Sequence, residues 1–215
     1  MSSQAGEIAV QSVGLEWTVT RVVNPAETDD CRDGLDGLDD AGLMAACQAG
    51  RRAAFDVLVE RHQRPVYQLC YRFAGNHEDA SDLCQEVFLR AYRALQKFRG
   101  DAAVSTWLYR IGVNACLNRV AARTAPTVTL DDTAELPAPP SDPADGLIAG
   151  QRAAQVRAAI AALPERQRAT LILRVYHDRS HREIAGILGT TEGAAKANLF
   201  HALGNLKKLL AVRTL

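Results

Sequence analysis

The stretch Ser180–Lys196, SHREIAGILGTTEGAAK, decides the fold of the C-terminal part of the chain. Ser180 and Glu183 form the S-x-x-E pattern of a capping box, which predicts that a helix begins here. Gly189 supplies a left-handed residue to end that helix, and Thr191 is placed to cap the next one. This is the layout of a helix-turn-helix, whose second helix lies in the major groove of DNA. Helical hairpins that bind nothing share the same caps, so the stretch alone leaves both interpretations open.

Apolar residues recur every three or four positions through most of the remaining sequence, which is typical of helices with one buried face. The pattern predicts a helix from Ala53 to Phe73 kinked at Pro65, one through Ala80–Leu95, one capped by Ser105, one over Gln151–Leu163 and one that starts at Pro164. Residues 15–20 alternate between apolar and polar, which fits a lone strand if another segment offers it an edge. We therefore predict an all-α fold of two small helical domains, the second containing the helix-turn-helix.

Charge and proline content divide the 215 residues into four segments, although the chain has no net charge. Residues 1–40 carry a net charge of −7, which predicts a mobile acidic extension. Residues 41–123 carry +5 and residues 151–215 carry +7, which predicts two basic helical domains. Between them, residues 124–150 have a net charge of −5 and contain five of the eight prolines, as expected of a flexible linker. Two basic domains fit a protein that meets a polyanion, but ordinary domains with solvated arginine faces also fit.

Several classes of protein are excluded by what the sequence lacks. No apolar run approaches the roughly 20 residues of a membrane span, and Met1–Val10 has no secretory pattern, so we expect a cytoplasmic protein without membrane insertion. The cysteines form no C-x-x-C pair, and Cys70 and Cys84 fall in phase with apolar neighbours, which predicts a packing role and no metal site. Nothing resembles a nucleophile with its base or a phosphate-binding loop, so we predict no enzymatic activity and no cofactor.

Five motifs point to one protein family. They are Asp79–Arg93 (DASDLCQEVFLRAYR), Phe98–Asp101 (FRGD), Ser105–Ile111 (STWLYRI), Leu163–Arg168 (LPERQR) and the stretch Ser180–Lys196. Together they resemble an extracytoplasmic-function (ECF) sigma factor, the two-domain class of the bacterial sigma-70 family. The resemblance covers about residues 40–123 and 150–211, in the family's order and spacing. It implies a promoter-melting domain, a variable linker and a domain for the minus-thirty-five element, all bound to RNA polymerase core. An anti-sigma partner is also implied.

The resemblance assigns two sets of side chains in the first domain. One face of the second helix is assigned to the beta-prime clamp helices of the polymerase, with the beta flap as a further contact of the family. Carboxylates and a carboxamide suit bonds to arginines of a partner, although a merely solvated face is the alternative. The residues of this face are Asp82, Gln85, Glu86 and Arg90.

The resemblance also assigns contacts with the minus-ten element. A loop and an asparagine are assigned to a flipped base of this element, and three arginines are assigned to its phosphates. These residues are Phe98, Arg99, Gly100, Asp101 and Asn114, followed by Arg110, Arg119 and Arg123.

The second domain is assigned to the minus-thirty-five element. Its predicted major-groove side chains share one side of the helix because they are three and four residues apart. They are Lys196, Ala197, Phe200 and His201, with Asn198 as a further candidate for reading base edges and with Arg174 and Arg182 on phosphates. Common members of the family carry arginines where Asn198, His201 and Leu203 stand here. Fewer fixed positive charges predict weaker binding of this element.

Two other functions are compatible with parts of the sequence. The chain could be a stand-alone helix-turn-helix regulator, with residues 41–123 serving for dimerisation or sensing; such a protein binds duplex DNA by itself. It could also be a helical adaptor that binds no DNA. The adaptor accounts for the amphipathic helices but leaves the two basic segments unexplained.

Overall fold

The computed structural model describes residues 11–13, 16–18, 34–124 and 143–212, and it includes the side chains of residues 34–122 and 152–211. Its helices are α1 (Asp40–Gln48), α2 (Arg52–Ala74), α3 (His77–Ala94), α4 (Val104–Thr124), α5 (Pro143–Ala161), α6 (Glu165–Val175), α7 (His181–Leu188) and α8 (Glu192–Val212). A short 3-10 helix, Leu95–Lys97, follows α3. Helices α1–α4 form one domain and α5–α8 the other, which confirms the predicted all-α fold.

Two three-residue strands precede the helical domains. Strand β1 (Gln11–Val13) pairs with β2 (Glu16–Thr18) in antiparallel register, with Ser12 opposite Trp17. The strand predicted from residues 15–20 is present at residues 16–18, and β1 offers the edge that it needs. A hairpin joined by two residues supplies its own partner edge, so the alternating segment needs no other strand.

The first domain is built around the pair α2 and α3. Leu69, Val87 and Val113 are fully or almost fully buried where α2, α3 and α4 meet. A Cβ atom added at Gly112 would lie 2.9 Å from Cδ2 of Leu69, so this glycine lets α4 approach α2 closely. The predicted helix over residues 53–73 is confirmed, since α2 continues through Pro65 and ends at a left-handed glycine, Gly75, with φ of 85°.

The cysteines of the first domain pack as apolar side chains. Cys70 and Cys116 are fully buried, and Cys84 is 8% exposed, which confirms the packing role predicted for Cys70 and Cys84. Burial raises the pKa of the Cys84 thiol, which keeps it in the neutral form. Cys31 lies outside the described residues.

Three predicted boundaries shift in the structure. The packed chain begins before residue 41, because Leu35 is fully buried and Asp39 caps α1 by accepting a hydrogen bond from the Gly42 N–H at 2.8 Å. Ser105 is not a cap: α4 begins at Val104, and the Trp107 N–H already donates to the Ala103 carbonyl. The helix predicted from residue 151 begins at residue 143, within the predicted linker. In the first two cases a buried apolar residue, Leu35 or Val104, fixes the chain against the core.

The second domain surrounds the helix-turn-helix. Ile172 of α6 and Ile184 of α7 are fully buried, as are Ala195 and Ala202 of α8. The small alanine side chains allow α8 to lie close to α6 and α7. The long face of α8 opposite this core is left on the surface, where a DNA groove can reach it.

Candidate nucleic-acid interface

The helix-turn-helix has the caps that its sequence predicts. The Ser180 hydroxyl accepts from the Glu183 N–H, and the Glu183 carboxylate accepts from the Ser180 N–H at 2.8 Å, which completes the capping box. Gly189 takes the left-handed conformation with φ of 61°. The Ala194 N–H donates to the Thr191 hydroxyl at the start of α8. The helix caps and the helix stop predicted for this stretch are therefore confirmed.

The Glu183 carboxylate is held in its charged form. It accepts hydrogen bonds from the Ser180 hydroxyl and backbone and pairs with Arg179 at 3.0 Å, and together these contacts lower the pKa of Glu183 to about 2. A folded-state pKa below the ordinary 4.5 means that the carboxylate contributes stability above pH 4.5 and loses it as the pH falls toward 2. The capping box is therefore weakened by acid.

Replacing Ser180 with alanine should lower the free energy of unfolding by about 1 kcal/mol near neutral pH, because one cap and one bond to Glu183 disappear. Chemical denaturation of the full chain measures the difference, which should shrink as the pH falls below 4.5. Ser180→Thr retains a hydroxyl and serves as the matched control. An equal loss in both variants would contradict the capping role.

The exposed side of α8 carries the side chains assigned to the minus-thirty-five element. Lys196, Ala197 and His201 are exposed, and Asn198 is half-buried. Phe200 is 76% exposed, and its ring lies 5.7 Å from that of His201. Arg174 and Arg182, outside α8, are also exposed. A large apolar ring on a surface helix suits contact with a thymine methyl group in the major groove.

The loop before α4 is held by a residue that the sequence analysis missed. The Gln48 side chain donates to the carbonyl oxygens of Leu95 and Phe98 at 3.0 and 2.9 Å. Phe98 is half-buried against Trp107, with ring centroids 5.2 Å apart. The remaining loop residues, Arg99, Gly100 and Asp101, are exposed. The loop thus offers polar groups beside a fixed aromatic pair.

The other minus-ten candidates lie along α4. Asn114 is exposed, as predicted, and so is Arg119, which pairs with Asp79 at 3.2 Å. Arg110 is also exposed, but its guanidinium donates to the Gly186 carbonyl of α7 at 2.7 Å. The side chain of Arg123 lies outside the described residues.

The candidate polymerase face lies on α3. Asn76 caps this helix, and its apolar side is buried in the first domain. Asp82 is exposed, whereas Gln85 is half-buried. Glu86 and Arg90 form an ion pair of 2.5 Å, and both side chains are 41% exposed. Four polar groups thus share one accessible side of a well-supported helix.

The two domains pack against each other, which the sequence analysis did not predict. The Tyr109 hydroxyl lies 3.0 Å from Nδ1 of His177, and the Arg179 guanidinium lies 4.6 Å from the centre of the Tyr109 ring. Arg168 reaches from α6 to donate to the carbonyl of Phe73 at the end of α2. Tyr109 is only 4% exposed as a result.

His177 is kept neutral inside this contact. Burial is the main cause, and the nearby Arg179 and Arg72 charges add to it, so that the pKa of His177 falls from 6.5 to about 4. Its Nε2 atom has no hydrogen-bond partner within the part of the chain that the structure describes. A protonated imidazole would place a third positive charge beside two arginines, so the packed arrangement favours the neutral ring.

Comparison with known proteins identifies the family of this chain. Residues 58–125 match the sigma-70 region 2 model, and residues 153–206 match that of sigma-70 region 4. The ECF RNA polymerase sigma factor SigM of Mycobacterium tuberculosis is 39% identical over 172 residues, which are 80% of this chain and 84% of SigM. The chain belongs to the ECF class of the sigma-70 family. This sigma factor is also 34% identical over 180 residues to the RNA polymerase sigma-H factor of Pseudomonas aeruginosa, over 80% of this chain and 93% of that protein.

A solved structure supports the same assignment. CnrH, determined in complex with the cytosolic domain of CnrY, is 26% identical to this sigma factor and superposes with a TM-score of 0.60. The match covers 80% of this chain and 97% of CnrH. Among the residues that the structure describes, no helix is long and apolar enough to cross a membrane.

Proposed function

We propose that this sigma factor binds core RNA polymerase, recognises minus-ten and minus-thirty-five promoter elements and promotes the DNA melting that starts transcription. The observation that carries the proposal is the presence of region 2 and region 4 matches in one chain, in that order. The first domain, residues 41–123, melts the promoter and holds the polymerase, and residues 151–215 read the minus-thirty-five element. The stand-alone regulator is not favoured, because a region 2 match occupies the segment that it would use for dimerisation.

The residue roles follow from exposure and chemistry. Carboxylates of the α3 face bind arginines of the polymerase, and the 98–101 loop with Asn114 holds an unpaired base. Exposed arginines neutralise phosphates, which makes binding dependent on salt. Lys196, Phe200 and His201 enter the major groove at the minus-thirty-five element. The protein acts in the cytoplasm and has no enzymatic activity of its own, since bond formation belongs to the polymerase.

The packed domains represent an inactive form in this proposal. Elements about 25 base pairs apart are separated by roughly 85 Å along B-DNA, so adjoining domains cannot reach both together. Arg110 also has its guanidinium bonded to α7 rather than available to phosphates. CnrH is known in complex with the cytosolic domain of CnrY. By analogy, an anti-sigma partner keeps this sigma factor inactive until a signal releases it.

Transcription in vitro with purified core polymerase and a promoter library tests the proposal. The sigma factor should direct initiation from a defined set of promoters only when core is present. Duplex binding by the free protein, without core, should be weak. Neither a complex nor initiation on any template would refute the function.

Asn114→Ala should relax base preference within the minus-ten element. Loss of one base-edge contact costs about 1–3 kcal/mol, so discrimination at one position should fall by about tenfold while initiation from the best promoter persists. Asn118→Ala, an exposed asparagine on the same helix, is the control. Promoter selection by sequencing measures the change. Unaltered preference in the Asn114 variant would place the base pocket elsewhere.

A further inference from the structure

A cavity of about 230 Å³ lies between the two domains. Its walls come from the end of α2, from α5 and α6, and from Tyr176 after α6. None of the proposed promoter or polymerase contacts lines it. The cavity exists only while the domains are packed together, so a ligand inside it would touch both.

The charge of the lining is all of one sign. Arg72, Arg157 and Arg168 line the cavity, and no aspartate or glutamate is among the described residues that line it. Arg72 lies over the Tyr176 ring, with its guanidinium carbon 3.9 Å from the ring centre. An aromatic face orients a guanidinium but does not neutralise it. Three positive charges therefore meet without a carboxylate in the lining.

Arg168 shows most clearly that burying these positive charges is unfavourable. Arg168 is 6% exposed, and one of its nitrogens donates to the Phe73 carbonyl. Its Nε atom has no hydrogen-bond partner among the described residues. Burial lowers the pKa of the guanidinium, as expected for a charge taken out of water. A buried charge without a counter-ion is unfavourable, and a nearby anion would offset that cost.

We propose that this cavity binds a small phosphate-bearing ligand, held by Arg72, Arg157 and Arg168. Arginine forks match phosphate oxygens in pairs, and a multiply charged phosphate balances several guanidinium groups better than a single carboxylate does. The ligand is either free pyrophosphate or the diphosphate end of a nucleotide. Because it contacts both domains, it stabilises the packed form. The packed form is the inactive form in the proposed function. The expectation that the ligand lowers activity therefore rests on that function, whereas binding itself does not.

Calorimetric titration of the full chain with pyrophosphate, without divalent cations and at constant ionic strength, tests the site. We expect saturable binding that Arg157→Ala weakens by at least about tenfold, as for loss of one charge-assisted contact. Arg157 is half-buried, and Arg152, exposed on the same helix and outside the cavity, gives the matched control Arg152→Ala. The control should bind within about twofold of the unaltered chain.

Three results would overturn the proposal. They are no saturable binding at millimolar pyrophosphate, equal weakening by both arginine variants, and binding of citrate as tight as that of pyrophosphate. Titration with a nucleoside diphosphate identifies the source: tighter binding than pyrophosphate supports a nucleotide, and weaker binding supports the free anion. Binding is measured without polymerase, so its failure is separate from any failure to direct transcription.

Discussion

Glu86→Lys should abolish binding of core polymerase while leaving the helical fold intact. The change replaces a partly exposed carboxylate on the α3 face with a cation, which would meet the arginines expected on the partner. Like charges brought together at an interface cost several kcal/mol, so affinity should fall by at least about 100-fold. Fluorescence anisotropy of the labelled sigma factor, titrated with core, measures the loss. Circular dichroism checks that the helices remain.

The ion pair between Glu86 and Arg90 provides the control for this experiment. Glu86→Lys also breaks that pair, which on an exposed helix contributes only about 0.3–0.5 kcal/mol. The double variant Glu86→Lys with Arg90→Glu restores an intrahelical pair of reversed order but still presents the wrong charge to the polymerase. Binding should stay absent in the double variant. Because Arg90 also lies on the α3 face, recovery of binding there would mean that the polymerase reads the summed charge of the pair and not the carboxylate at residue 86.

The sequence predicted the parts of the fold that rest on local signals. The helix caps of this stretch each join groups no more than four residues apart, so the local sequence was enough to predict them. The capping residues are Ser180 with Glu183, Gly189 and Thr191. The repeat of apolar residues likewise predicted α2 and α3 almost to their ends. The position of Asn114 on the surface followed from the same helical repeat.

Contacts between distant residues were not predictable in the same way. Gln48 holds carbonyl groups 47 and 50 residues away, and no periodic pattern marks it. Leu35 stands among glycines and aspartates, so composition suggested a mobile extension although the side chain is fully buried. The sequence resemblance assigned roles to the loop and α4, but the neighbours that hold them depend on tertiary packing.

The packing of the two domains is the largest feature that the sequence did not reveal. It includes a contact between the Tyr109 and His177 side chains, 68 residues apart. Arg110 and Arg168 donate to backbone carbonyl groups that are 76 and 95 residues away. Tyr109 stands in a helix whose apolar face points to another core, so its burial depends on the second domain. Arg110, which is predicted to contact a phosphate, has its guanidinium bonded to the Gly186 carbonyl in the packed form.

Acid should separate the two domains through His177. In the packed form the pKa of His177 is about 4, below the ordinary 6.5, whereas separation exposes the ring to water and restores the ordinary value. The neutral ring therefore favours the packed form fully above pH 6.5, and this preference is lost as the pH falls toward 4. One proton is taken up on separation, so the equilibrium should shift by up to about tenfold per pH unit within that interval.

Small-angle X-ray scattering of the free protein measures this shift as a rise in the radius of gyration. The groups that face His177 are Tyr109 of α4, Arg72 of α2, and the neighbouring Arg179 and Asp178. The preference of Glu183 for its charged form is lost only below pH 4.5. Over most of the interval between pH 6.5 and 4, the response therefore reports on His177 and not on Glu183. His177→Gln removes the titrating group and should flatten the response, whereas His201→Gln, on the exposed side of α8, should keep it. A radius that rises equally in both variants would show that another group opens the domains.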